Sequence, residues 1–349
     1  MATLPGQDLD HILTQTRDCW AAVAGSRIFI TGGTGFVGKW LLESLLWVND
    51  LHDLNIGVTV LTRDPRRFCL QSPHLAAHRG VDLLEGDVCS FDDPHGEFPF
   101  VIHAATERSF PPDAQHPAST FDLDVAGTRR VLEFARAHGT RRLLFTSSGA
   151  VYGTQPTDLL HVPEDYPGAP STLDAASAYG QAKRVSEFLC TMYGRRYGFD
   201  PLIARLFAFV GPHLPMNENF AVGNFVRDAI GSGPILVKSD GTPYRSYLYA
   251  ADLATWLWTI LVRGESGRAY NVGSDEAVSI ADLAAAVARV AGPGKKVEIA
   301  GQPVAGKPAL RYVPCVERAR VELGLRAWIP FEEGIQRTLD WAASTTVHG

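Results

Sequence analysis

Residues 27–48 read RIFITGGTGFVGKWLLESLLWV, and this stretch decides the fold. A short apolar run rich in β-branched residues leads into GGTGFVG at 32–38, and a segment with apolar side chains on more than one face follows. Glycines permit a tight turn and a close approach of the backbone, and the N-terminus of a helix attracts anions. Because G-x-G-x-x-G here lies between a strand and a helix, it predicts a turn that receives a dinucleotide pyrophosphate.

The alternation of strand and helix continues along the chain. Further buried-strand candidates lie at 56–62, 81–88, 100–106 and 141–148, and a helix is predicted over 122–139. Strands that alternate with helices form parallel sheets covered on both faces. We therefore predict an α/β fold with a Rossmann-type doubly wound parallel sheet. The predicted organisation is a helical extension over 1–24, a cofactor domain over 25–210 with a returning segment near 247–273, and a smaller mixed α/β substrate domain mainly over 211–349.

Composition restricts the function classes. The 349 residues carry a net charge of −6, with 46% hydrophobic and 20% charged residues, values of an ordinary globular protein. Clustered Lys and Arg would be needed for nucleic acid, so we expect no such partner. We also expect no membrane span and a cytoplasmic location, because no apolar run approaches the ~20 residues that a bilayer requires. The five cysteines are far apart in the sequence, and we assign no metal to them.

The glycine turn predicts a nicotinamide cofactor, held by Gly32, Gly35, Phe36, Val37 and Gly38. An NAD site usually has an acid at the tip of the second strand. Here Thr62 and Arg63 occupy that tip, and Asp53 precedes the strand and belongs to the wrong end of the sheet. Arg63, helped by Arg66 or Arg67, can bind a 2′-phosphate, which favours NADP. If these arginines form only a solvated cluster, the cofactor is NAD.

Residues after the third and fourth strands are further candidates for the cofactor site. Asp87, followed by Val88 in GDV, can accept a hydrogen bond from the adenine amino group. Ala104, Ala105 and Thr106 in HAAT place small side chains along the cofactor. For His103 we expect a packed, hydrogen-bonded histidine rather than a catalytic one.

Tyr179 and Lys183 form Y-x-x-x-K, and on a helix residues four apart project from the same face. A nearby ammonium, together with the positive ring of an oxidised nicotinamide, stabilises a phenolate, so Tyr179 can act as acid or base in hydride chemistry. Lys183 can also hold the nicotinamide ribose. Ser148 ends the strand of RRLLFTSS and can hold the substrate oxygen.

The motifs TGGTGFVG, GDV, HAAT, SSGAVYG, SAYGQAK and YNVG occur in the order found in extended short-chain dehydrogenases/reductases. Over residues 25–345 the chain resembles the branch called the NAD-dependent epimerase/dehydratase family of nucleotide-sugar enzymes. The resemblance implies the triad Ser148, Tyr179 and Lys183, a C-terminal domain for a nucleotide-diphospho-sugar, and a homodimer formed through two long helices. It also implies that Arg245, and less directly Arg311, contacts the substrate phosphates. For Asp252 we expect a helix cap.

Departures from the family pattern bear on the reaction. Sugar 4,6-dehydratases resemble T-D-E-V-Y-G at the end of this strand, with acids that serve elimination, and the related decarboxylases keep the Glu. Gly149 and Ala150 stand there, so both activities are disfavoured. Ala208 replaces the usual Asn beside the substrate pyrophosphate, and Asp124 replaces another usual Asn. Substrate recognition is therefore expected to differ from that of a standard hexose enzyme.

Two enzyme functions remain open, and one function without catalysis stands beside them. The first is an NADPH-dependent reductase of a nucleotide-diphospho-4-keto-sugar, favoured by Arg63 because net reduction draws on NADPH. The second is a nucleotide-sugar 4-epimerase with tightly bound NAD, favoured by the simple SSGAVYG strand end. A non-catalytic regulatory protein could lose Tyr179 or Lys183, and the chain retains both.

Overall fold

The structure is a computed structural model that describes residues 3–106, 117–217, 220–306 and 308–346. The strands in chain order are β1 (Arg27–Thr31), β2 (Gly57–Thr62), β3 (Val81–Glu85), β4 (Phe100–His103), β5 (Arg142–Ser148), β6 (Asp200–Leu206), β7 (Phe209–Val210), β8 (Ile235–Val237), β9 (Tyr244–Arg245), β10 (Leu248–Tyr249), β11 (Ala269–Val272), β12 (Val278–Ser279), β13 (Val297–Ile299) and β14 (Arg311–Tyr312). The α-helices are α1 (Gly6–Gln15), α2 (Trp20–Val23), α3 (Phe36–His52), α4 (Pro65–Gln71), α5 (Pro73–Ala76), α6 (Pro117–Ala137), α7 (Ala178–Tyr197), α8 (Ala221–Ile230), α9 (Ala250–Arg263), α10 (Ile280–Ala291), α11 (Glu317–Leu323) and α12 (Phe331–Thr346). Short 3-10 helices occur at Arg17–Cys19, Gly149–Tyr152 and Ala175–Ser177.

A seven-stranded parallel sheet in the order β11-β6-β5-β4-β1-β2-β3 forms the centre. Successive side chains of a strand point to opposite faces, so β1 contributes side chains to two hydrophobic clusters, one on each face of the sheet. Phe29 packs in a cluster with Phe134 of α6, whereas Ile28 packs in a second cluster with Trp40 of α3 and Trp256 of α9. The predicted α/β class with a Rossmann-type parallel sheet is therefore confirmed.

The parallel arrangement places the carboxyl ends of the strands along one edge. β1 ends at Thr31, β2 at Thr62, β4 at His103 and β5 at Ser148. The residues predicted to continue β3 and β4, 86–88 and 104–106, instead form the loops that leave this edge. Ligands of open α/β sheets bind outside the carboxyl ends of the strands, so this edge is where a functional site is expected.

The carboxyl half adds small sheets beside the central one. β7 pairs with β10, β8 pairs with β13, and β9 lies between β12 and β14. β11 returns to the central sheet next to β6. Helices α8, α10 and α12 pack against one another. Apart from β11, these carboxyl-terminal strands therefore form small sheets of their own and do not extend the main sheet.

The amino-terminal helix α1 is anchored by buried charge pairs. Asp8 is fully buried, accepts a hydrogen bond from the hydroxyl of Tyr249 at 2.6 Å and pairs with Arg337. His11 pairs with Asp252 at 2.8 Å. The other Asp252 oxygen accepts from the backbone N–H groups of residues 328 and 329, at 2.9 and 3.0 Å. The expectation that Asp252 caps a helix is therefore wrong. Its carboxylate instead links α1 and residues 328–329 to α9.

No helix in the described part of the chain is long and apolar enough to cross a membrane. Among the same residues, no group of three or more His, Cys, Asp or Glu side chains is arranged to hold a metal ion. All five cysteines are free thiols, with Cys19 and Cys190 buried and Cys69 exposed.

Candidate active site

The turn between β1 and α3 has the geometry of an anion site. Gly32 has φ of 73°, and a Cβ on it would lie 2.5 Å from the carbonyl oxygen of Ala104, so glycine is required by both conformation and space. Gly35 immediately precedes α3, and its N–H donates to the carbonyl of Gly32 at 3.0 Å. Phe36, Val37 and Gly38 form the first turn of α3, where backbone N–H groups have no partner inside the helix. The turn therefore fits a dinucleotide pyrophosphate.

Arg63 directly follows β2, the strand beside β1, and is exposed at the carboxyl edge of the sheet. Arg66 and Arg67 lie on the adjoining α4 and are also exposed, and none of the three guanidinium groups forms an ion pair within the described residues. Asp64 caps α4 by accepting from the N–H of Arg67 at 2.9 Å. Asp53 ends α3 at the opposite edge of the sheet, as the sequence predicts.

The loops after β3 and β4 also lie at the carboxyl edge of the sheet. Asp87 accepts a hydrogen bond from the N–H of Cys89 at 2.9 Å. Val88 would be 2.9 Å from a Cβ placed on Gly127 of α6, so this loop lies against that helix. The N–H groups of Ala104 and Ala105 donate to the carbonyl and hydroxyl of Thr31, at 3.1 and 3.2 Å. The predicted small side chains thus lie at the end of β1, beside the glycine turn.

His103 is buried and is hydrogen-bonded through both ring nitrogens, as expected for a packed residue. Nδ1 lies 2.7 Å from the hydroxyl of Thr31, and Nε2 lies 3.1 Å from that of Thr128. Burial, and secondarily the charge of Lys183, lowers the pKa of His103 to about 3. The ring is therefore neutral at physiological pH.

The three predicted catalytic side chains lie on β5 and α7. Ser148 is the last residue of β5, and its hydroxyl oxygen accepts from the N–H of Ala150 at 3.2 Å. The ammonium of Lys183 lies 5.6 Å from the centre of the Tyr179 ring and 3.4 Å from the carbonyl oxygen of Thr146, two residues before Ser148. Helix α7 also packs against residues 149–152. The structure therefore brings the strand end and the Y-x-x-x-K face together.

A buried ionic network fixes α7 against the central strands. Arg205 donates to both carboxylate oxygens of Glu187, at 3.0 and 2.7 Å, and to the hydroxyl of Tyr152 at 2.8 Å. Ser147, which precedes Ser148, donates to the same Glu187. Glu187 lies one helical turn after Lys183 on α7. Burial raises the pKa of Tyr152 to about 12, so this phenol stays protonated.

Tyr312 is a site residue that the sequence analysis missed. Its ring lies 4.6 Å from that of Phe207, and its hydroxyl donates to the carbonyl of Leu206 at 3.4 Å and is hydrogen-bonded to the side chain of Ser148. Burial raises its pKa above the ordinary value, and Tyr179 is close enough to raise it further. No local motif marks Tyr312, because the pairing of β14 with β9 brings it to the site.

Tyr312 also closes the space next to the turn that follows β5. A Cβ built on Gly149 would lie 2.6 Å from the Tyr312 hydroxyl and 2.7 Å from the Phe207 ring. Real Cβ atoms do not approach that closely, so any side chain at position 149 would force both aromatic rings to move. Gly149 is therefore a packing requirement, and Ala150 beside it carries no acid.

The two candidate phosphate-binding arginines have different environments. Arg245 pairs in register with Tyr312, and its guanidinium carbon lies 5.6 Å from that ring. Arg311 pairs with Tyr244 and packs 4.5 Å from its ring, and its buried Nε has no hydrogen-bond partner among the described residues. Because successive strand residues face opposite sides, Arg245 shares a face with Tyr312 and Arg311 does not.

Ala208 lies in the short link between β6 and β7. It is partly buried, and its carbonyl oxygen accepts from the N–H of Leu248 at 3.0 Å. Its methyl group offers no hydrogen bond to a ligand, so this position contributes shape only.

Comparison with known proteins agrees with this geometry. The sequence matches the NAD dependent epimerase/dehydratase family over residues 28–273. UDP-glucuronic acid decarboxylase 1 of Xenopus tropicalis is 28% identical over 322 residues, which are 92% of this chain and 73% of that protein. The UDP-glucose 4-epimerase of Thermus thermophilus, solved with NAD, is 26% identical with a TM-score of 0.71, covering 90% of this chain and 98% of that one.

A third similar protein, RMD of Pseudomonas aeruginosa solved with NADPH, has 24% identity and a TM-score of 0.71 over 92% of this chain and 99% of that one. Solved structures of this fold thus hold NAD in one case and NADPH in another. The fold and the site define an enzyme of the extended short-chain dehydrogenase/reductase type. The chain belongs to the NAD-dependent epimerase/dehydratase family.

Proposed function

We propose that the chain is an NADPH-dependent reductase of a nucleotide-diphospho-4-keto-sugar, with hydride delivered to sugar C4. The observation that carries the proposal is the turn after Ser148. Gly149 and Ala150 supply no acid for elimination, and Tyr312 with Phe207 fills the space at position 149. What remains is a hydroxyl and phenol site suited to hydride chemistry alone.

Each residue of the site has a defined task in this reaction. When bound, the nicotinamide supplies the hydride. Ser148 donates a hydrogen bond to the keto oxygen of the substrate, and Tyr179 delivers a proton to that oxygen. Lys183, near the Tyr179 ring, orients the phenol and holds the nicotinamide ribose. Arg245 binds a substrate phosphate through its charged guanidinium group.

Arg63 supports the preference for NADPH. It is exposed at the carboxyl end of β2 without an ion-pair partner among the described residues, and Arg66 and Arg67 add positive charge on α4. A 2′-phosphate gains charge-assisted hydrogen bonds from such a cluster. The neighbouring acid, Asp64, is engaged in capping α4.

The second candidate is a nucleotide-sugar 4-epimerase that retains NAD. It is supported by the similarity to the Thermus thermophilus enzyme and by the simple SSGAVYG strand end. UDP-glucuronic acid decarboxylase 1 is similar along most of the chain, but Ala150 stands where decarboxylases keep a glutamate. For this reason we do not extend their reaction to the chain.

We also propose a homodimer formed through α6 and α7. These helices are 21 and 20 residues long and pack side by side. Phe188 and Met192 lie one turn apart on α7, with 63% and 41% of their surfaces exposed. A groove of about 590 Å³ lies along α6, with Phe121 and Val125 among its lining residues. Light scattering should give twice the chain mass, and Phe188→Glu should give the monomer.

A single set of assays separates the candidates. We would supply the purified protein with NADPH and a nucleotide-diphospho-4-keto-6-deoxy-sugar, and separately with UDP-glucose and UDP-glucuronate. If the chain is the proposed reductase, NADPH is oxidised with the first substrate, and neither UDP-glucose nor UDP-glucuronate gives a product. Interconversion of UDP-glucose and UDP-galactose, with NAD retained through gel filtration, would instead establish the epimerase.

A further inference from the structure

One side of Arg205 is bonded to the helix that carries Lys183. Arg205 on β6 pairs in register with Ser147 on β5. Its guanidinium group donates to both carboxylate oxygens of Glu187, at 3.0 and 2.7 Å, and Ser147 donates to one of the same oxygens. Glu187 lies one helical turn after Lys183 on α7. Arg205 and Glu187 therefore join the residue before Ser148 to the Y-x-x-x-K helix.

The other side of Arg205 leads to the segment that follows Tyr312. Arg205 also donates to the hydroxyl of Tyr152 at 2.8 Å, and that hydroxyl donates to the side-chain oxygen of Asn271 at 2.7 Å. The side-chain nitrogen of Asn271 in turn donates to two backbone carbonyl oxygens, one in the loop before α7 at 2.9 Å and one in residues 313–315 at 3.0 Å. Two backbone hydrogen bonds of 2.9 Å also join these two segments. Asn271 thus fastens the residues after Tyr312.

These contacts meet again at Ser148. The hydroxyl of Tyr312 is hydrogen-bonded to the side chain of Ser148 and donates to the carbonyl of Leu206 at 3.4 Å. Leu206 is the register partner of Ser148 and directly follows Arg205. Ser148 is therefore held from two directions, through its neighbour Ser147 and through Tyr312, and both routes lead back to Arg205. We call this set the Arg205 network: Ser147, Tyr152, Glu187, Arg205, Asn271 and Tyr312.

We propose that Arg205 is a positioning residue, which couples the strand end at Ser148 to the segment that carries Tyr312. A guanidinium group presents its N–H groups in a fixed fork, so Arg205 can bond a carboxylate and a phenol at once in directions that a flexible ammonium does not reproduce. The Ser148 hydroxyl thereby keeps the position from which it bonds the substrate oxygen. That role in the reaction rests on the proposed function, whereas the physical link from Arg205 to residues 313–315 does not.

Hydrogen–deuterium exchange of the full chain, without substrate, tests the physical link. Arg205→Lys keeps the positive charge beside Glu187 and removes the fork. Tyr152→Phe keeps the aromatic ring and removes the hydroxyl that lies between Arg205 and Asn271. Both variants should exchange the backbone amides of residues 313–315 about tenfold faster than the parent, because a buried hydrogen bond of the network is lost. Only Arg205→Lys should also speed exchange in α7, since Tyr152→Phe leaves the ion pair with Glu187 intact.

Arg142→Lys is the matched control. Arg142 begins β5, at the edge of the sheet opposite to Ser148, and pairs there with Asp200 at 3.2 Å. Its substitution should leave exchange at residues 313–315 unchanged. An unchanged rate at 313–315 in Tyr152→Phe would overturn the proposal, and so would a rise of equal size in residues 27–48, which would indicate general destabilisation. Tyr152→Phe decides the test even where Arg205→Lys does not fold.

A kinetic readout then tests the positioning role. With NADPH and a 4-keto-sugar nucleotide, Arg205→Lys, or Tyr152→Phe in its place, should lower kcat about tenfold with KM for NADPH nearly unchanged, since a displaced group costs rate more than cofactor binding. Adding Tyr312→Phe should cause a smaller further loss than it causes in the parent, because groups that act as one unit are not additive.

The outcomes separate this inference from the proposed function. If exchange at residues 313–315 rises as expected but the parent reduces no ketone, the link through Arg205 stands and the proposed function falls. If the parent is a reductase and Tyr312→Phe lowers kcat by the same factor in both backgrounds, the positioning role of Arg205 falls and the proposed function stands.

Discussion

Two regions supply side chains to the same site by different routes. One is the carboxyl edge of the seven-stranded sheet, and the other is the small sheet of β9, β12 and β14. At the main edge, Ser148 directly ends a strand, and Tyr179 and Lys183 share one helix face. In the small sheet, Arg245 and Tyr312 lie far apart in the chain and meet through the register of two-residue strands. The first region derives its geometry from local sequence, and the second from tertiary pairing.

We expect the two regions to differ in role, with the main edge responsible for the reaction and the small sheet for substrate selectivity. In the proposed function, residues of the main edge hold the cofactor and transfer the proton. Residues of the small sheet decide what fits beside them, as Tyr312 does by closing the space next to Gly149. Substitutions at the main edge should therefore reduce activity by larger factors than substitutions in the small sheet.

The largest effect is expected at Tyr179. Tyr179→Phe removes the proton donor and should lower kcat about 10³-fold, within the range for loss of a general acid. Cofactor affinity, measured by fluorescence titration, should stay close to that of the parent. Tyr270→Phe is the matched control, because that hydroxyl bonds to Glu322 at 3.0 Å outside the site. Comparable loss in both variants would contradict the assignment.

The next effect concerns Arg63. Arg63→Ala should lower kcat/KM for NADPH about 10- to 100-fold, the value of one charge-assisted contact, and leave kcat/KM for NADH nearly unchanged. Initial rates with each cofactor provide the measurement. Arg79→Ala removes another exposed charge elsewhere and should change neither value. Equal loss for both cofactors would exclude a role in binding a 2′-phosphate.

A smaller effect is expected from the small sheet. Tyr312→Phe keeps the ring against Phe207 and removes the hydroxyl bonded to Ser148. One neutral hydrogen bond corresponds to about a fivefold loss, which we expect in kcat with KM nearly constant. Steady-state kinetics should show this split, with Tyr270→Phe again as the control. A loss as large as that of Tyr179→Phe would place the proton donor on the small sheet.

The last effect is at the end of β4 and concerns stability rather than turnover. The pKa of His103 is about 3 in the folded chain against an ordinary value of 6.5. As the pH falls below 6.5, the unfolded chain takes up a proton that the folded chain does not, so stability decreases down to about pH 3. His103→Gln should reduce this slope by about 1.4 kcal/mol per pH unit.

Urea unfolding between pH 6.5 and pH 4.5 measures that slope. His95→Gln, at an exposed position, is the control. An identical slope in the parent and in His103→Gln would mean that His103 titrates normally in the folded protein.

The same contrast explains what the sequence could predict. A parallel sheet aligns its carboxyl ends, so Gly32, Arg63 and Ser148 could be assigned to one edge from strand patterns alone. Tyr312 could not, because two-residue strands have no readable period and their partners are distant in sequence. Asp252 was misjudged for a related reason, since its partners in other segments are invisible to local capping rules. The substitution at Asp124 was visible, but its contact with Lys183 depends on how α6 packs against α7.

The most direct test of the central claim follows the hydride. The purified protein would be incubated with a nucleotide-diphospho-4-keto-6-deoxy-sugar and NADPH that carries deuterium at the transferable C4 position, and the product would be analysed by nuclear magnetic resonance. We predict deuterium at sugar C4, with one NADPH oxidised for each hydroxyl formed. Unlabelled product with no net NADPH oxidation, or product from UDP-glucose or UDP-glucuronate alone, would contradict the assignment as a reductase.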